Sequence, residues 1–264
     1  MKLLTLNTHS LHSKNDLANC QVLCDFMEKE LPDVVALQEV NQNITENVSK
    51  TVLGHIPTGD VPLKDGNFAL FLQENLIAKN LHYEFSWLGI KRGYDRFDEG
   101  IALFSRIPVK EVKNMLLTDI TDYNNFKKRM ALIMETETGV FVNCHLGWED
   151  DMEEPSQKQI SRLLSCNNFK KDVYLMGDFN FTSKSIGYET TISSGFYDTF
   201  SLAEKRVGEA TVSGKIDGWE ENGEDMRIDY IFANKKTPVV ESRVVFSGKK
   251  LPKISDHFGV MISF

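Results

Sequence analysis

The sequence predicts an α/β fold built as one domain. The chain has 264 residues, 41% of them hydrophobic, which is enough apolar material for a single large core. No linker rich in Ser, Gly or Pro, no repeat and no low-complexity tract divides it, so we expect one domain over residues 1–264. Short apolar runs that alternate with helical patterns indicate strands and helices in β-α-β order.

The first elements form such a unit. Residues 2–6 are an apolar run that ends at Asn7, and residues 16–29 place apolar side chains at a spacing of three to four, which is typical of an amphipathic helix. Residues 34–37 are entirely apolar, as in a strand covered on both faces, and lead to Glu39. Because the two strands of a β-α-β unit are parallel, Asn7 and Glu39 are expected at the same end of the sheet.

The remaining chain continues this alternation. Further strands are expected at residues 83–90, 100–105, 109–119, 130–135, 140–144, 227–232, 239–246 and 258–264, with helices at 67–79, from 155 onward and at 184–194. Residues 91–99, dense in charged and aromatic side chains, and residues 210–225, rich in Gly and polar side chains, are expected as loops.

Residues 173–180, Val-Tyr-Leu-Met-Gly-Asp-Phe-Asn, combine a predicted buried strand with two polar side chains at its end. The apolar run stops at Gly177, and Asp178 and Asn180 point the same way because residues i and i+2 of an extended chain share a face. Ligands of open α/β sheets bind at such strand ends. On its own, a Gly-Asp-x-Asn segment is more typical of an Asx turn, so the functional interpretation depends on the rest of the chain.

The charge of the chain limits its partners. The formal net charge is −8 at pH 7, and an acidic surface repels a phosphate polyanion, which argues against a dedicated nucleic-acid binder. It argues less against an enzyme, because a divalent metal ion supplies positive charge locally. The apolar opening, residues 1–6, is far too short for a signal sequence or a membrane span, and no membrane partner is expected.

Cysteine usage points to a reducing compartment. The chain has four cysteines, Cys20, Cys24, Cys144 and Cys166, and no CxxC spacing. Cys20 and Cys24 lie four apart inside a predicted helix, which suits two small core residues better than a bridge. We therefore expect reduced thiols and a cytoplasmic protein.

Nine polar residues lie at predicted strand ends or inside apolar runs: Asn7, Glu39, Glu99, His145, Asp178, Asn180, Asp229, Asp256 and His257. Each has a structural alternative, such as a turn residue for Asn7, a solvated side chain for Glu39 or a core hydrogen bond for His145. Asp229 is the hardest to explain in this way, because a carboxylate inside an apolar strand needs a buried partner. Together, hard oxygen ligands and a histidine backed by an acid suit hydrolysis of a phosphate ester with Mg²⁺ or Mn²⁺.

The order of these residues resembles a known superfamily. The matching segments are Leu6-Asn7-Thr8, Leu37-Gln38-Glu39, residues 99–106, Asn143-Cys144-His145-Leu146, Gly177-Asp178-Phe179-Asn180, Arg227-Ile228-Asp229-Tyr230 and Ser255-Asp256-His257. This series strongly resembles the endonuclease/exonuclease/phosphatase superfamily, which contains DNase I, abasic-site endonucleases, inositol-polyphosphate 5-phosphatases and neutral sphingomyelinases. The resemblance runs from residue 3 to residue 260. It implies a four-layer α/β sandwich, in which two packed mixed β-sheets carry helices on the outside.

The resemblance also implies the residues that hold the metal and activate water. Glu39 is expected to be the main Mg²⁺ ligand, with Asn7 and Asp256 beside it, and Mn²⁺ is the alternative metal. Asp178 is expected to align or deprotonate the attacking water. Asn180 is expected to contact the phosphoryl oxygens.

Two histidines complete the implied site. His257, oriented by Asp229, is expected to stabilise the charge that builds on phosphorus. His145, oriented by Glu99, is expected to contact the phosphate from the other side. Because no position of the pattern is missing, a non-catalytic interaction protein with this fold is the weaker alternative.

The shared residues define the reaction and leave the substrate open. The sequence has no long basic segment interleaved with aromatic residues for tracking a nucleic acid, and no long apolar loop for docking on a membrane. The expected specificity loops hold arginines, which grip phosphate, and aromatic rings, which stack on sugars: Arg92, Tyr94, Arg96, Arg129, Trp148 and Trp219. A solvated rim is the alternative for the arginines.

Residues 6–10 and 93–103 look like a small bacterial branch of the superfamily that includes sugar-phosphate phosphatases. Glu149 stands where that branch has a second Trp. We therefore predict a Mg²⁺-dependent cytoplasmic phosphomonoesterase that acts on a small phosphorylated carbohydrate, with no stable nucleic-acid partner. A metal-dependent nuclease acting on DNA is the alternative with the same chemistry. The exact sugar, the number of metal ions and the oligomeric state stay open at this point.

Overall fold

The computed structural model describes residues 1–12, 15–50, 52–165, 170–216 and 223–264. Its strands are β1 (Lys2–Asn7), β2 (Val34–Asn43), β3 (Glu84–Gly93), β4 (Phe97–Ser105), β5 (Val109–Leu116), β6 (Met130–Thr136), β7 (Val140–His145), β8 (Val173–Asp178), β9 (Tyr197–Asp198), β10 (Ala203–Val207), β11 (Val212–Ser213), β12 (Asp225–Met226), β13 (Asp229–Ala233), β14 (Val239–Val245) and β15 (Gly259–Ser263). Its helices are α1 (Asp16–Glu30), α2 (Phe68–Ala78), α3 (Ser156–Leu163), α4 (Ile186–Ser193) and α5 (Thr199–Leu202). Within the described ranges, no helix has the length and apolar character needed to span a membrane.

The strands form two large mixed sheets. The first has seven strands in the order β10-β14-β15-β1-β2-β4-β3, and the second has six in the order β5-β6-β7-β8-β13-β9. β1 pairs with β2 in parallel, as predicted for the β-α-β unit, and β7 pairs with β8 in parallel. Because both parallel pairs end in polar residues, each sheet gathers polar side chains at one edge.

The two sheets pack face to face. Along β1, Leu3 points into the core shared by both sheets, where it joins Phe141 and Met176 of the second sheet. Leu4 points to the opposite face, into the core formed with α1 and α2. This alternation is the period of two that a strand covered on both faces requires.

The second sheet is covered in the same way. Its outer face packs against α3, where Ile160 and Leu163 are fully buried, and against Tyr188 of α4. The layers are therefore helices, sheet, sheet and helices, which confirms the expected four-layer sandwich.

Two regions expected as loops contain regular structure. Residues 91–99 are mostly the ends of β3 and β4, joined by a tight turn at residues 94–96. Part of the region 210–225 forms β11, which pairs with β12, while residues 217–222, including Trp219, lie outside the described residues. Both expectations were wrong for the same reason. Charged or glycine-rich composition masked the ends of β3 and β4 in the first region and the short strand β11 in the second.

Candidate active site

One imidazole and two carboxylate side chains form a row across the second sheet. His145 ends β7, Asp178 ends β8 and Asp229 begins β13. The parallel register pairs His145 with Asp178, and the antiparallel register pairs Asp178 with Asp229. All three residues are buried. The register of the sheet, and not the spacing in the sequence, therefore brings them together.

Gly177 allows the middle strand of this row to approach its neighbour. Its φ of +147° lies outside the range that residues with a side chain favour. A Cβ atom at this position would overlap the carbonyl oxygen of Cys144 on β7. Only glycine fits immediately before Asp178, so the position of that carboxylate depends on it.

The first sheet contributes Glu39 through an irregularity in β2. The register between β2 and β4 shifts between Leu37 and Val40, and Glu39 takes a left-handed backbone conformation with φ of 49°. Such bulges re-aim a side chain at the edge of a sheet. The hydroxyls of Thr8 and Ser10 donate to the Glu39 carbonyl oxygen at 3.0 and 2.7 Å and hold this conformation.

A buried amide network joins the two sheets beneath the site. Asn143 Nδ2 on β7 donates to the carbonyl oxygens of Leu37 and Ala102, both at 2.8 Å. Gln38 Nε2 donates to Asn143 Oδ1 at 2.7 Å. Asn143 and Gln38 are fully buried, and their amides fix the edge that carries Glu39 against the edge that carries His145.

Asp178 is the meeting point of the two edges. Asn7 Nδ2, from β1, donates to Glu39 Oε1 at 2.8 Å and to Asp178 Oδ2 at 3.1 Å. The other carboxylate oxygen, Asp178 Oδ1, accepts the backbone N–H of Asn180 at 2.9 Å. Burial raises the pKa of Asp178 well above its usual range, and the nearby Asp229 carboxylate adds to the increase. Asp178 is thus a stronger base than an exposed carboxylate.

His257 faces Asp178 and tends to carry a positive charge. Its Nδ1 lies 3.0 Å from Asp229 Oδ2, and its Nε2 lies 3.7 Å from Asp178 Oδ2. Burial alone would lower the pKa of His257, but the Asp229 and Asp178 carboxylates raise it to about 10. Thr211 supports the arrangement, because its hydroxyl accepts the backbone N–H of Asp229 at 3.2 Å. The arrangement favours an imidazolium at His257.

His145 lies on the other side of Asp178. Its Nε2 is 3.6 Å from Asp178 Oδ2. Burial, together with the positive charges of Arg129 and Lys91, holds the pKa of His145 well below its usual value. The site therefore pairs a neutral imidazole with a charged one, on either side of one carboxylate.

The residues around Glu39 fit a divalent metal ion. Burial, with the carboxylates of Glu99 and Asp256 nearby, raises the pKa of Glu39 well above its usual range. A divalent cation offsets this repulsion, and carboxylate oxygens are the ligands that Mg²⁺ and Mn²⁺ prefer. The metal-ligand roles of Glu39, Asn7 and Asp256 stay predictions.

Lys91, Arg92 and Arg129 line a cleft of about 440 Å³ together with carboxylates of the site, and we call this cationic part of the lining, with its neighbours, the cationic wall. Glu39, His145, Asp178, Asn180 and His257 also line the cleft. The rest of the lining is Lys91, Arg92, Gly93, Tyr94, Glu99, Phe126, Arg129 and Trp148. A cleft of this size suits a small ligand.

Three N–H groups in this wall are buried and have no hydrogen-bond partner in the part of the chain that the structure describes. They are Nε of Arg92, Nε of Arg129 and Nε1 of Trp148. A buried donor left unpaired costs about 1–3 kcal/mol, so such groups indicate an acceptor supplied from outside. Three of them on one wall favour a ligand rich in oxygen acceptors.

The predicted substrate contacts divide into two groups. Arg92, Tyr94, Arg129 and Trp148 line the cleft, whereas Arg96 is exposed outside it, with its guanidinium 4.4 Å from the centre of the Phe97 ring. Trp219 lies outside the described residues.

The structure gives Glu99 a different partner from the expected one. Its carboxylate lies 3.0 Å from Lys91 Nζ, whereas His145 Nε2 faces Asp178. The pairing of Glu99 with His145 is therefore corrected to a pairing with Lys91. Lys91 and Glu99 are cross-strand partners in the β3–β4 hairpin, so the hairpin explains the contact.

Lys91 and Phe126 also line the cleft; the sequence placed them in the expected specificity loops 91–98 and 126–129 but did not mark either as a substrate contact. Lys91 is buried, and burial beside Arg129 lowers its pKa. Recognising the hairpin would have revealed Lys91, because residues that face each other across a hairpin share a face. No comparable signal marks Phe126, which comes from an irregular segment.

Glu149 has a structural role where the sugar-phosphate branch has a Trp. Its Oε1 accepts the backbone N–H of Gly187 at 3.1 Å, in the first turn of α4, and the amide of Gln157 at 3.0 Å. A carboxylate at a helix N-terminus is stabilising. The side chain of Glu149 is therefore engaged beside the cleft and not in its lining.

Several solved structures share the fold of this chain. An endonuclease/exonuclease/phosphatase family protein from Leptotrichia buccalis C-1013-b superposes with a TM-score of 0.87 at 28% identity, over 100% of this chain and 98% of that one. A mannosyl-6-phosphatase of Bacteroides thetaiotaomicron VPI-5482 gives 0.68 at 15% identity, over 100% and 98%. TDP2 of D. rerio, solved with a single-strand DNA product, gives 0.67 at 16% identity, over 99% and 97%. The last two likenesses show the fold alone.

Sequence comparison gives a complementary result. No curated protein sequence matches the chain. The family model described as "Endonuclease/Exonuclease/phosphatase family" matches residues 17–257, which span nearly the whole chain and include all of the candidate site except Asn7. Members of this superfamily are metal-dependent phosphoric ester hydrolases. The chain therefore belongs to the endonuclease/exonuclease/phosphatase family.

Proposed function

We propose that this protein is a cytoplasmic, Mg²⁺-dependent phosphomonoesterase that releases phosphate from a small phosphorylated sugar. One observation supports this substrate class above the others. The buried, unpaired N–H groups of Arg92, Arg129 and Trp148 converge on a cleft of small-molecule size, next to Asp178 and His257. A cytoplasmic location is supported by Cys20 and Cys24, which are both buried free thiols.

The residues on the acidic side of the cleft have complementary roles. Glu39 would hold a divalent ion, which would supply Lewis-acid polarisation of a phosphoryl oxygen and neutralise charge. Asp178, with its raised pKa, accepts the proton of the attacking water. His257, held by Asp229, donates to the oxygen that gains charge. Neutral His145 contacts the phosphate without adding a positive charge to those of the metal ion and His257.

The cationic wall matches the rest of a sugar phosphate. Lys91, Arg92 and Arg129 offer three positive charges against the single carboxylate of Glu99. A phosphomonoester, which has nearly two negative charges near pH 7, complements this excess. Tyr94 and Phe126 are 59% and 58% exposed and offer aromatic faces at the cleft for a sugar ring.

Phosphate release from a substrate panel tests the proposal. Purified protein is assayed with Mg²⁺ and with EDTA on sugar phosphates, nucleotides, inositol phosphates and oligonucleotides. We expect metal-dependent release from sugar phosphates, with no plasmid cleavage at low salt. Cleavage of DNA without release from any small ester would contradict the proposal and assign a nuclease.

A matched pair of arginine variants tests the role of the wall. Arg92→Ala removes a donor that lines the cleft, and we expect KM for the preferred sugar phosphate to rise at least about tenfold, as for the loss of a charged hydrogen bond. Arg96→Ala removes an exposed arginine of the β3–β4 turn that does not line the cleft, and it serves as the control. Equal KM values for both variants and the wild type would remove Arg92 from substrate binding.

A further inference from the structure

A second group of potential metal ligands lies beside Glu39. The ligand atoms of His9, His12 and Glu39 all lie within 4.8 Å of one another. His9 and His12 belong to the segment that follows β1, whereas Glu39 belongs to β2. The phosphate-ester chemistry described above uses only Glu39 of the three.

The two imidazoles are stacked in parallel. Their ring centres are 4.4 Å apart and their planes differ by 13°. The His12 ring packs edge-on against Tyr94 at 4.7 Å and against Phe97 at 5.4 Å. These contacts with the β3–β4 hairpin fix the orientation of His12, so its nitrogens are placed before any ion arrives.

His9 is fixed by polar contacts instead. Its Nδ1 lies 3.5 Å from Asp256 Oδ1, and its backbone N–H donates to Asn7 Oδ1 at 3.1 Å. A carboxylate on one ring nitrogen orients a histidine so that its other nitrogen is available to a metal. The neighbouring Thr8 and Ser10 hydroxyls bind the Glu39 carbonyl oxygen, which ties this segment to the third ligand.

We propose that His9, His12 and Glu39 form a cation site selective for a transition-metal dication such as Zn²⁺, with Glu39 common to this site and the Mg²⁺ site. Two imidazoles and one carboxylate are the donor set of many three-ligand zinc sites. Imidazole binds Zn²⁺, whereas Mg²⁺ prefers oxygen ligands and retains its water. Because Zn²⁺ binds its ligands at about 2.0–2.1 Å, ligand atoms spread over up to 4.8 Å move closer together when the ion binds.

Direct metal binding tests this site without any substrate. Calorimetric titration of the full chain with ZnCl₂ and with MgCl₂ compares the wild type, His9→Asn and His12→Asn. The matched control is His82→Asn, because His82 is exposed and outside the cluster. We expect each of the first two variants to lose at least about tenfold in Zn²⁺ affinity, with Mg²⁺ binding and the His82→Asn titration unchanged.

A spectroscopic measurement identifies the ligand atoms. Pulsed electron paramagnetic resonance of the protein loaded with Cu²⁺, which like Zn²⁺ favours imidazole ligands, detects ¹⁴N coupling from coordinated imidazole. We expect this coupling in the wild type and its loss in the His9→Asn/His12→Asn double variant. Persistence of the coupling, or wild-type Zn²⁺ affinity in both single variants, would overturn the proposal.

The folding of the variants is controlled separately. Metal-free thermal unfolding of each variant is compared with the wild type, and His12→Gln replaces His12→Asn if the stacked position does not tolerate the shorter side chain. Because the readout is metal binding, failure of the proposed phosphatase function would leave this result interpretable.

Discussion

At the scale of single residues, we expect Asp178 and His257 to form the reactive pair of the site. Both are buried. Burial, with the Asp229 carboxylate adding to it, raises the pKa of Asp178, and the Asp229 and Asp178 carboxylates raise the pKa of His257. The upward shift makes Asp178 a better base. The same shift keeps His257 protonated, so that it can act as a donor. A base and a donor 3.7 Å apart can thus serve one reaction.

Asp178→Asn removes the base and preserves the shape of the side chain. We expect kcat for the preferred phosphate ester to fall by about 10²–10⁴-fold, which is the usual contribution of a positioned base. The measurement is steady-state phosphate release with saturating Mg²⁺. Asp60→Asn, an exposed position, is the matched control. A rate within a factor of two of the wild type would show that Asp178 takes no part in the chemistry.

The pH dependence of the reaction follows from the two shifted pKa values. Asp178 must be deprotonated, so activity rises with pH through a pKa well above the usual carboxylate range. His257 must be protonated, so activity falls as the pH passes about 10. A bell-shaped profile of kcat/KM with an alkaline optimum is expected.

Asp229→Asn tests the alkaline side of that profile, and because Asp229 also raises the pKa of Asp178, the acidic limb should move down as well. Removing the carboxylate 3.0 Å from His257 Nδ1 lowers the pKa of His257, so the alkaline limb should move down by about one pH unit or more. The profiles of the wild type and Asp229→Asn are measured under the same salt and metal conditions. An unchanged alkaline limb would mean that another group sets it.

At the scale of elements, strand ends carry the site, and two backbone irregularities aim its side chains. The bulge in β2 turns Glu39 toward the cleft, and Gly177 lets β8 approach β7. Neither feature is visible from hydrophobic periodicity, which locates a strand but gives neither its register nor its bulges.

Gly177→Ala tests how strongly the site depends on that approach. The added Cβ overlaps the Cys144 carbonyl oxygen and the backbone conformation is unfavourable, so we expect a loss of about 3 kcal/mol or more in the free energy of unfolding. Gly223→Ala is the control, because a Cβ there meets no atom within 4 Å. Denaturant unfolding of both variants gives the comparison. Equal stability would refute the close approach.

The hairpin of β3 and β4 shows why part of the site was missed. Its turn places Tyr94 and Asp95 consecutively at φ of 49° and 55°. Sequence rules assign such conformations to Asn and Gly, so Tyr-Asp gave no turn signal. Without the turn, the pairing of Lys91 with Glu99 was hidden, and the pairing of Glu99 with His145 came from the family resemblance.

At the scale of the whole molecule, the sequence predicted the architecture better than it predicted the contacts between the two sheets. The apolar strands ending in Asn7, His145 and Asp178 lie where they were expected, because buried strands are encoded by long apolar runs. The strand expected to end at Glu39 instead continues through a bulge to Asn43. The amides of Asn143 and Gln38, which link the sheets, depend on how the sheets face each other. Single-chain periodicity contains no information about that packing.

The charge distribution of the whole chain matches a small substrate. The net charge of −8 repels a long polyanion, whereas the cleft concentrates Lys91, Arg92 and Arg129 in a small volume. A small phosphate ester is attracted mainly by the positive charges of the cleft, whereas a nucleic acid is also repelled by the acidic surface around it. Selectivity for a compact dianion is the central claim that follows.

A pair of matched esters tests this claim most directly. The value of kcat/KM is measured for the preferred sugar phosphomonoester and for its methyl phosphodiester, which differ by one negative charge at the same phosphorus. We predict a preference for the monoester of at least about tenfold, as expected when one charged contact is lost. Equal values, or a preference for the diester, would contradict the assignment of a phosphomonoesterase.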